Sequence, residues 1–307
     1  MRKRAFILVL ILIPALLTAA FLGRRPVILV GDDAFNMIYG ERRALISRWA
    51  LSLRLFRWIK TINVSSGVGP DLVAQAAASL SRRPEAVFFP YRYREGARRY
   101  LKNRPGPAVV ILGGRNPPDR GVNEGPEPLW IVTDTGTDLY RAGAAAGIIT
   151  GNSGMPTALY YEKLEEAGKT AFIQGLRDQG YTGTPFFPLS GDSLATAREG
   201  GLAGGGLGCA VLVDEDDPAP YEAKNPLVLF SWLDPLLLPR NTAAVFDDSP
   251  LTQLEPALAL LRKGASGGGV PSQIWAPRRD RALKNKYIEI NRLKSLKYER
   301  ENTDNNK

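Results

Sequence analysis

Apolar and polar residues follow one another in blocks from residue 26 to residue 277. Short apolar runs recur, each followed by a longer stretch whose apolar positions keep helical spacing. The runs at 27–30, 58–64, 86–89, 108–112 and 129–132 predict strands. Between them 38–53, 72–80 and 94–101 predict helices, the second opened by Pro70-Asp71. A second series gives strands at 157–161, 185–188, 210–213, 227–230, 242–246 and 272–275, with helices at 138–149, 165–179, 193–200 and 251–261. Strands alternating with helices through short links argue an α/β fold whose parallel sheets are covered on both faces. Thr133-Asp134-Thr135-Gly136-Thr137 breaks the first series.

The first strand runs into Gly31-Asp32-Asp33-Ala34-Phe35-Asn36. Gly31 permits a turn there, and Asp32 or Asp33 suits the cap of the helix that follows. Open α/β sheets hold ligands beyond the carboxyl ends of their strands. Polar or aromatic groups stand at four such ends: Asp32 to Asn36, Tyr91, Asp214, and Trp232 to Asp234. An ionised carboxylate accepts hydrogen bonds from sugar hydroxyls, and an aromatic ring suits the flat face of a base or sugar. The candidate ligand-binding residues are therefore Asp32, Phe35, Asn36, Tyr91, Asp214, Trp232 and Asp234.

Composition narrows the chemistry. The 307 residues, 44% of them hydrophobic, suit two lobes better than one. Histidine is absent, which removes histidine bases, histidine triads and histidine metal sites. The single cysteine, Cys209, lies in an apolar run, where it reads as a small core residue. No phosphate loop, nucleophile elbow or dinucleotide fingerprint is present. The acidic run Asp214-Glu215-Asp216-Asp217 reads as a solvated turn. No catalytic residue, metal or cofactor is expected, and the chain reads as a binder rather than an enzyme.

The net charge of +9 is concentrated toward the ends. Met1-Arg2-Lys3-Arg4 precedes an uncharged apolar run at 5–22, and 278–307 forms a basic tail with some helical spacing. The amino-terminal pattern is that of an export signal or a membrane anchor. It places the protein in the periplasm or on the outer face of the cytoplasmic membrane. No helix-turn-helix or basic-aromatic stripe appears, so nucleic acid is not an expected partner.

Three segments together resemble a known family. Asp32-Asp33-Ala34-Phe35-Asn36 is similar to the Asp-x-Ser-Phe-Asn signature of the basic-membrane-protein group of periplasmic binding proteins, many of them purine-nucleoside receptors. Ala34 stands in place of the serine. Asp138-Leu139-Tyr140-Arg141-Ala142-Gly143-Ala144-Ala145-Ala146-Gly147 resembles that group's helix after the first hinge. Phe172-Ile173-Gln174-Gly175-Leu176-Arg177-Asp178-Gln179-Gly180-Tyr181 resembles its first helix of the second lobe.

The resemblance implies two Rossmann-like lobes, the type I periplasmic binding protein architecture, with a ligand in a hinge cleft. It implies three crossings, near Asp134, Asn241 and Ser266. Lobe 1 would comprise 26–133 plus 242–266, and lobe 2 would comprise 134–241 plus 267–277. Asp32 and Asn36 would hydrogen-bond a base, and Asp234 would accept from ribose hydroxyls. The expected role is capture of a nucleoside-like or sugar-like solute for an ABC-type permease or membrane sensor. A membrane-tethered interaction module without a small ligand, or a hydrolase built on the paired acids, are the alternatives.

Overall fold

The computed structural model describes residues 21, 23–79, 83–104, 107–113, 127–151, 153–188, 207–213, 225–231, 233–265 and 267–277. The amino-terminal run up to residue 20, the basic tail, the 193–200 helix, Asp214 and Trp232 lie outside them. The chain divides into two compact units, Met1–Val132 with Gln253–Val270 and Thr133–Thr252 with Pro271–Lys307.

In the first unit, β1 (Val27–Asp32), β2 (Ile59–Val64), β3 (Ala86–Pro90), β4 (Ala108–Leu112), β5 (Leu129–Thr133, reaching one residue past the boundary) and β11 (Gly267–Val270) form one sheet in the order β11-β5-β4-β3-β1-β2. The pairs joining β1 to β5 are all parallel. Strand β1 is buried along its whole length, as an interior parallel strand must be. Helices α1 (Asp33–Tyr39), α2 (Glu41–Leu55), α3 (Pro70–Ala78), α4 (Arg94–Asn103) and α7 (Pro250–Arg262) complete the unit, the last reaching back three residues across the boundary. One core joins Ile28, Val30, Val87, Phe89 and Ile111 to Val73, Ala97 and Tyr100. Gly96 lets α4 press on α3, because a Cβ there would meet Val73 at 2.8 Å.

The second unit repeats the plan. Strands β6 (Thr157–Tyr160), β7 (Pro185–Phe186), β8 (Cys209–Leu212), β9 (Leu227–Phe230), β10 (Thr242–Asp247) and β12 (Gln273–Trp275) run in the order β12-β10-β9-β8-β6-β7. All its pairs are parallel except β10 with β12. Helices α5 (Thr135–Thr150) and α6 (Glu166–Asp178) pack on each other through glycine. A Cβ on Gly143 would collide with the Phe172 carbonyl, and one on Gly175 with the Tyr140 carbonyl. The two helical segments that carry the family resemblance are thus one interlocked pair.

The structure corrects several sequence expectations. Gly31 is part of strand β1, and the chain turns only after Asp32. The predicted helix at 38–53 is two helices, broken at Gly40, whose φ of 93° lies in the region glycine favours. Strand β10 belongs to the second unit's sheet and β11, which the apolar pattern did not reveal, to the first's. The later crossings therefore follow Thr252 and Val270 rather than falling near Asn241 and Ser266. An apolar run such as β10 reads alike in either sheet. Gly267-Gly268-Gly269 offers no apolar side chains to read at all.

Candidate functional site

Both sheets share one strand sequence, β2-β1-β3-β4-β5 and β7-β6-β8-β9-β10. In this order the winding reverses beside the first strand of each unit, and ligands gather outside the carboxyl ends at that reversal. In the first unit the point lies beyond the ends of β1 and β3.

Asp32 occupies that point and is fully buried. Its Oδ1 accepts from the Phe35 backbone N–H at 2.6 Å and so caps α1. Its Oδ2 accepts from the Tyr93 hydroxyl at 2.7 Å and pairs with the Arg92 guanidinium. Arg92 and Tyr93 lie in the single 3₁₀ turn Tyr91–Tyr93 that follows β3. The buried carboxylate thus ties the end of β1 to the end of β3. Removing one partner would leave the buried carboxylate short of a donor, at a cost of about 1–3 kcal/mol.

Arg92 remains 48% exposed at its side chain, so it reaches outward from an anchored base. A pocket of about 230 Å³ lies beside it, bounded by Gly67, Val68, Pro70, Tyr93 and Glu95. A guanidinium held by one carboxylate keeps further N–H donors for the oxygens of a second group.

The other predicted residues divide. Phe35 stacks on Tyr39 with centroids 5.0 Å apart, and Arg43 covers the far ring at 4.0 Å. Asn36 stands one residue further on in α1, half-buried, its carbonyl accepting from Gly40. Tyr91 turns to the edge of Trp130 and lies under Arg94, which makes it a packing residue of the unit. Asp234, in the second unit, uses Oδ1 to accept from the Leu236 N–H and shapes the loop after β9. So α1 and the β3 turn bring Asp32, Phe35 and Asn36 together with Arg92 and Tyr93, the two residues the sequence reading missed. Their signal was the Tyr-Arg-Tyr-Arg run immediately after the strand-ending Pro90.

The second unit has its own polar centre near the start and end of its first segment and the start of its second. Asp138, fully buried on α5, accepts from the Ser272 N–H at 2.9 Å and from the Ser272 hydroxyl. The Arg141 guanidinium donates to the Ser272 carbonyl at 3.4 Å. Thr133 donates to Asp248 at 3.1 Å, and Asp134 caps α5 through the Thr137 N–H. Burial pushes the Asp138 carboxyl up to about 7, although the Ser272 hydrogen bonds and the Arg141 charge pull the other way. Burial lowers Arg141 in turn. Among the described residues no cluster of acidic or cysteine side chains is arranged to hold a metal ion.

No protein-family model and no curated relative matches the sequence. Solved structures do match. An ABC transporter solute-binding protein from Conexibacter woesei DSM 14684 aligns with a TM-score of 0.54 at 15% identity, over 88% of this chain and 96% of that one. A periplasmic ribose ABC transporter protein from the same organism gives 0.53 at 11% identity, over 84% and 94%. A transcriptional activator of the comK gene from Bacillus halodurans gives 0.53 at 9% identity, over 87% and 95%. What these proteins share with this chain is architecture: two mostly parallel α/β sheets in the type I periplasmic-binding-protein fold.

Proposed function

We propose that the chain is an exported solute-binding protein that takes a small polar ligand, nucleoside-like or sugar-like, and delivers it to an ABC-type permease or a membrane sensor. The observation that carries this reading is the Asp32–Arg92–Tyr93 constellation at the first unit's switch point. It presents a half-exposed, pre-oriented guanidinium beside a pocket, where this fold class gathers ligands. Asp32 acts as the anchor of that site and Arg92 as the ligand-facing group, with Asn36 and Phe35 beside it on the cap of α1. On the second unit the candidates are Asp234, together with Asp214 and Trp232. The basic-membrane-protein resemblance favours a nucleoside, and the ribose transporter likeness supports a sugar.

The test is a thermal-shift screen of the full chain against purine nucleosides, pentoses, hexoses and amino acids. One class should raise the melting temperature. A ligand at 100 times its Kd stabilises by about 2.7 kcal/mol. Arg92→Lys preserves the charge opposite Asp32 but loses the planar fork, and should weaken that shift at least tenfold in ligand concentration. A panel with no response, or an undiminished response in the Arg92→Lys protein, removes this reading. The internal saturation of Asp32 favours one other reading, an interaction module that uses the fold without a small ligand, and an entirely silent panel is its expected outcome.

A further inference from the structure

Helix α2 carries an apolar stripe on the wrong side for the core. Leu51 and Ser52 face inward, whereas Leu45, Ile46, Trp49 and Leu53 are 45%, 58%, 48% and 69% exposed. At about 100° per residue those four fall within a single arc of about 100°. Trp58, immediately before the sheet's edge strand β2, extends the stripe, its ring 5.3 Å from that of Trp49. A groove of about 380 Å³ runs between them, past Arg48 and Lys60. Contiguous exposed apolar surface of this kind marks an interaction face.

Two observations say what covers it. The first is where the amino-terminal segment arrives. Phe21, at the end of the uncharged run 5–22, packs edge-on against Phe56 at 5.6 Å and Trp58 at 6.0 Å. The most apolar stretch of the chain therefore joins the body at the edge of this patch. The second is charge. Helix α2 bears Arg42, Arg43, Arg48 and Arg54 against one acid, Glu41, and Arg24 and Arg25 lead into the unit. Arg54 is paired with Glu255 and Arg48 donates to Thr61, while Arg42, Arg24 and Arg25 are exposed. The exposed stripe offers rings and leucines for the acyl boundary, and the arginines beside it offer cations for anionic headgroups.

We propose that this face, α2 with Trp58, rests on an anionic lipid surface, beside Phe21, the residue through which the apolar amino-terminal run meets the first unit. The proposal is independent of whatever the Arg92 pocket holds. It orients the first unit, since the α2 flank is fixed against the membrane.

The experiment uses the full chain in vesicles of phosphatidylglycerol and phosphatidylcholine. Cys209 is fully buried, so Leu53→Cys gives one accessible thiol for an environment-sensitive NBD label. Met155→Cys, exposed on the second unit, supplies the comparison. The label at 53 should shift to the blue, brighten several-fold and be quenched by lipids carrying a doxyl group near the headgroup. The label at 155 should behave as in water. Contact at 53 should weaken in phosphatidylcholine alone. Aqueous emission at 53 overturns the proposal. So does a blue shift without doxyl quenching, which would mean that a second copy or the chain's own apolar segment covers the stripe. Equal quenching at 53 and 155 overturns it as well.

Discussion

At the scale of single residues, two buried aspartates do opposite things. Asp32 accepts from the Phe35 amide and the Tyr93 hydroxyl and pairs with the Arg92 guanidinium, whereas at Asp138 burial outweighs the Ser272 hydrogen bonds and the Arg141 charge. The Asp138 carboxyl is therefore held up to about 7, against an ordinary value of 3.8. Between these values the folded protein holds a proton that the unfolded chain has released. The contribution of this group to stability is complete below about pH 4, falls as the pH rises toward 7, and is gone above it. Asp138→Asn keeps the hydrogen bond from the Ser272 amide and removes the titration. Its melting temperature should fall less than that of the parent between pH 5 and pH 8, and parallel curves for the two proteins would show that Asp138 does not titrate there. In the sequence Asp138 reads only as the first residue of the predicted helix 138–149. Its partner Ser272 lies across the whole second unit, and no local pattern announces a contact of that range. Asp32 was legible because its function is local, three residues from the amide it caps.

Among elements, the α5–α6 pair is the most demanding contact. Gly143 and Gly175 let the two backbones approach until a methyl group has nowhere to go. The obstacle in each case is a carbonyl of the facing helix, which no rotamer change relieves. Gly143→Ala or Gly175→Ala should cost about 3 kcal/mol, at or beyond the upper end of ordinary overpacking. The urea midpoint should fall with little change in slope, and a loss under about 1 kcal/mol would mean that the helices part easily. Helix and strand identities were readable here because apolar periodicity and helix-ending glycines such as Gly180 and Gly264 carry them. Sheet membership was not. Strand β10 has the same apolar run it would need in either unit, and its membership is set by pairing with β9 and β12, which no local run announces. Strand β11 went unseen because Gly267 is chosen for closeness: a Cβ there would stand 3.0 Å from the Trp130 carbonyl.

For the whole molecule, the lone thiol is a reporter. Cys209 is at the centre of the second unit's core, and burial raises its thiol far above the usual range. Ellman's reagent should leave the native protein unmodified over minutes and react fully in denaturant. A ligand that stabilises the fold should slow the native reaction further, in proportion to the population it removes from the open state. Rapid native labelling would instead reveal a second unit that opens on its own. The composition of the chain foretold the two-unit plan, but not its stitching. Helix α7 and strand β11 complete the first unit only after the long 133–252 segment of the second has been made. A chain emerging in order thus exposes the flank of β5 as a bare ladder of amides and carbonyls while residues 134–266 are still appearing. Such a margin recruits any strand that passes. The glycines that finally seal it make that late arrival a matter of backbone fit, so the first unit waits for residues 267–270 before its sheet is whole.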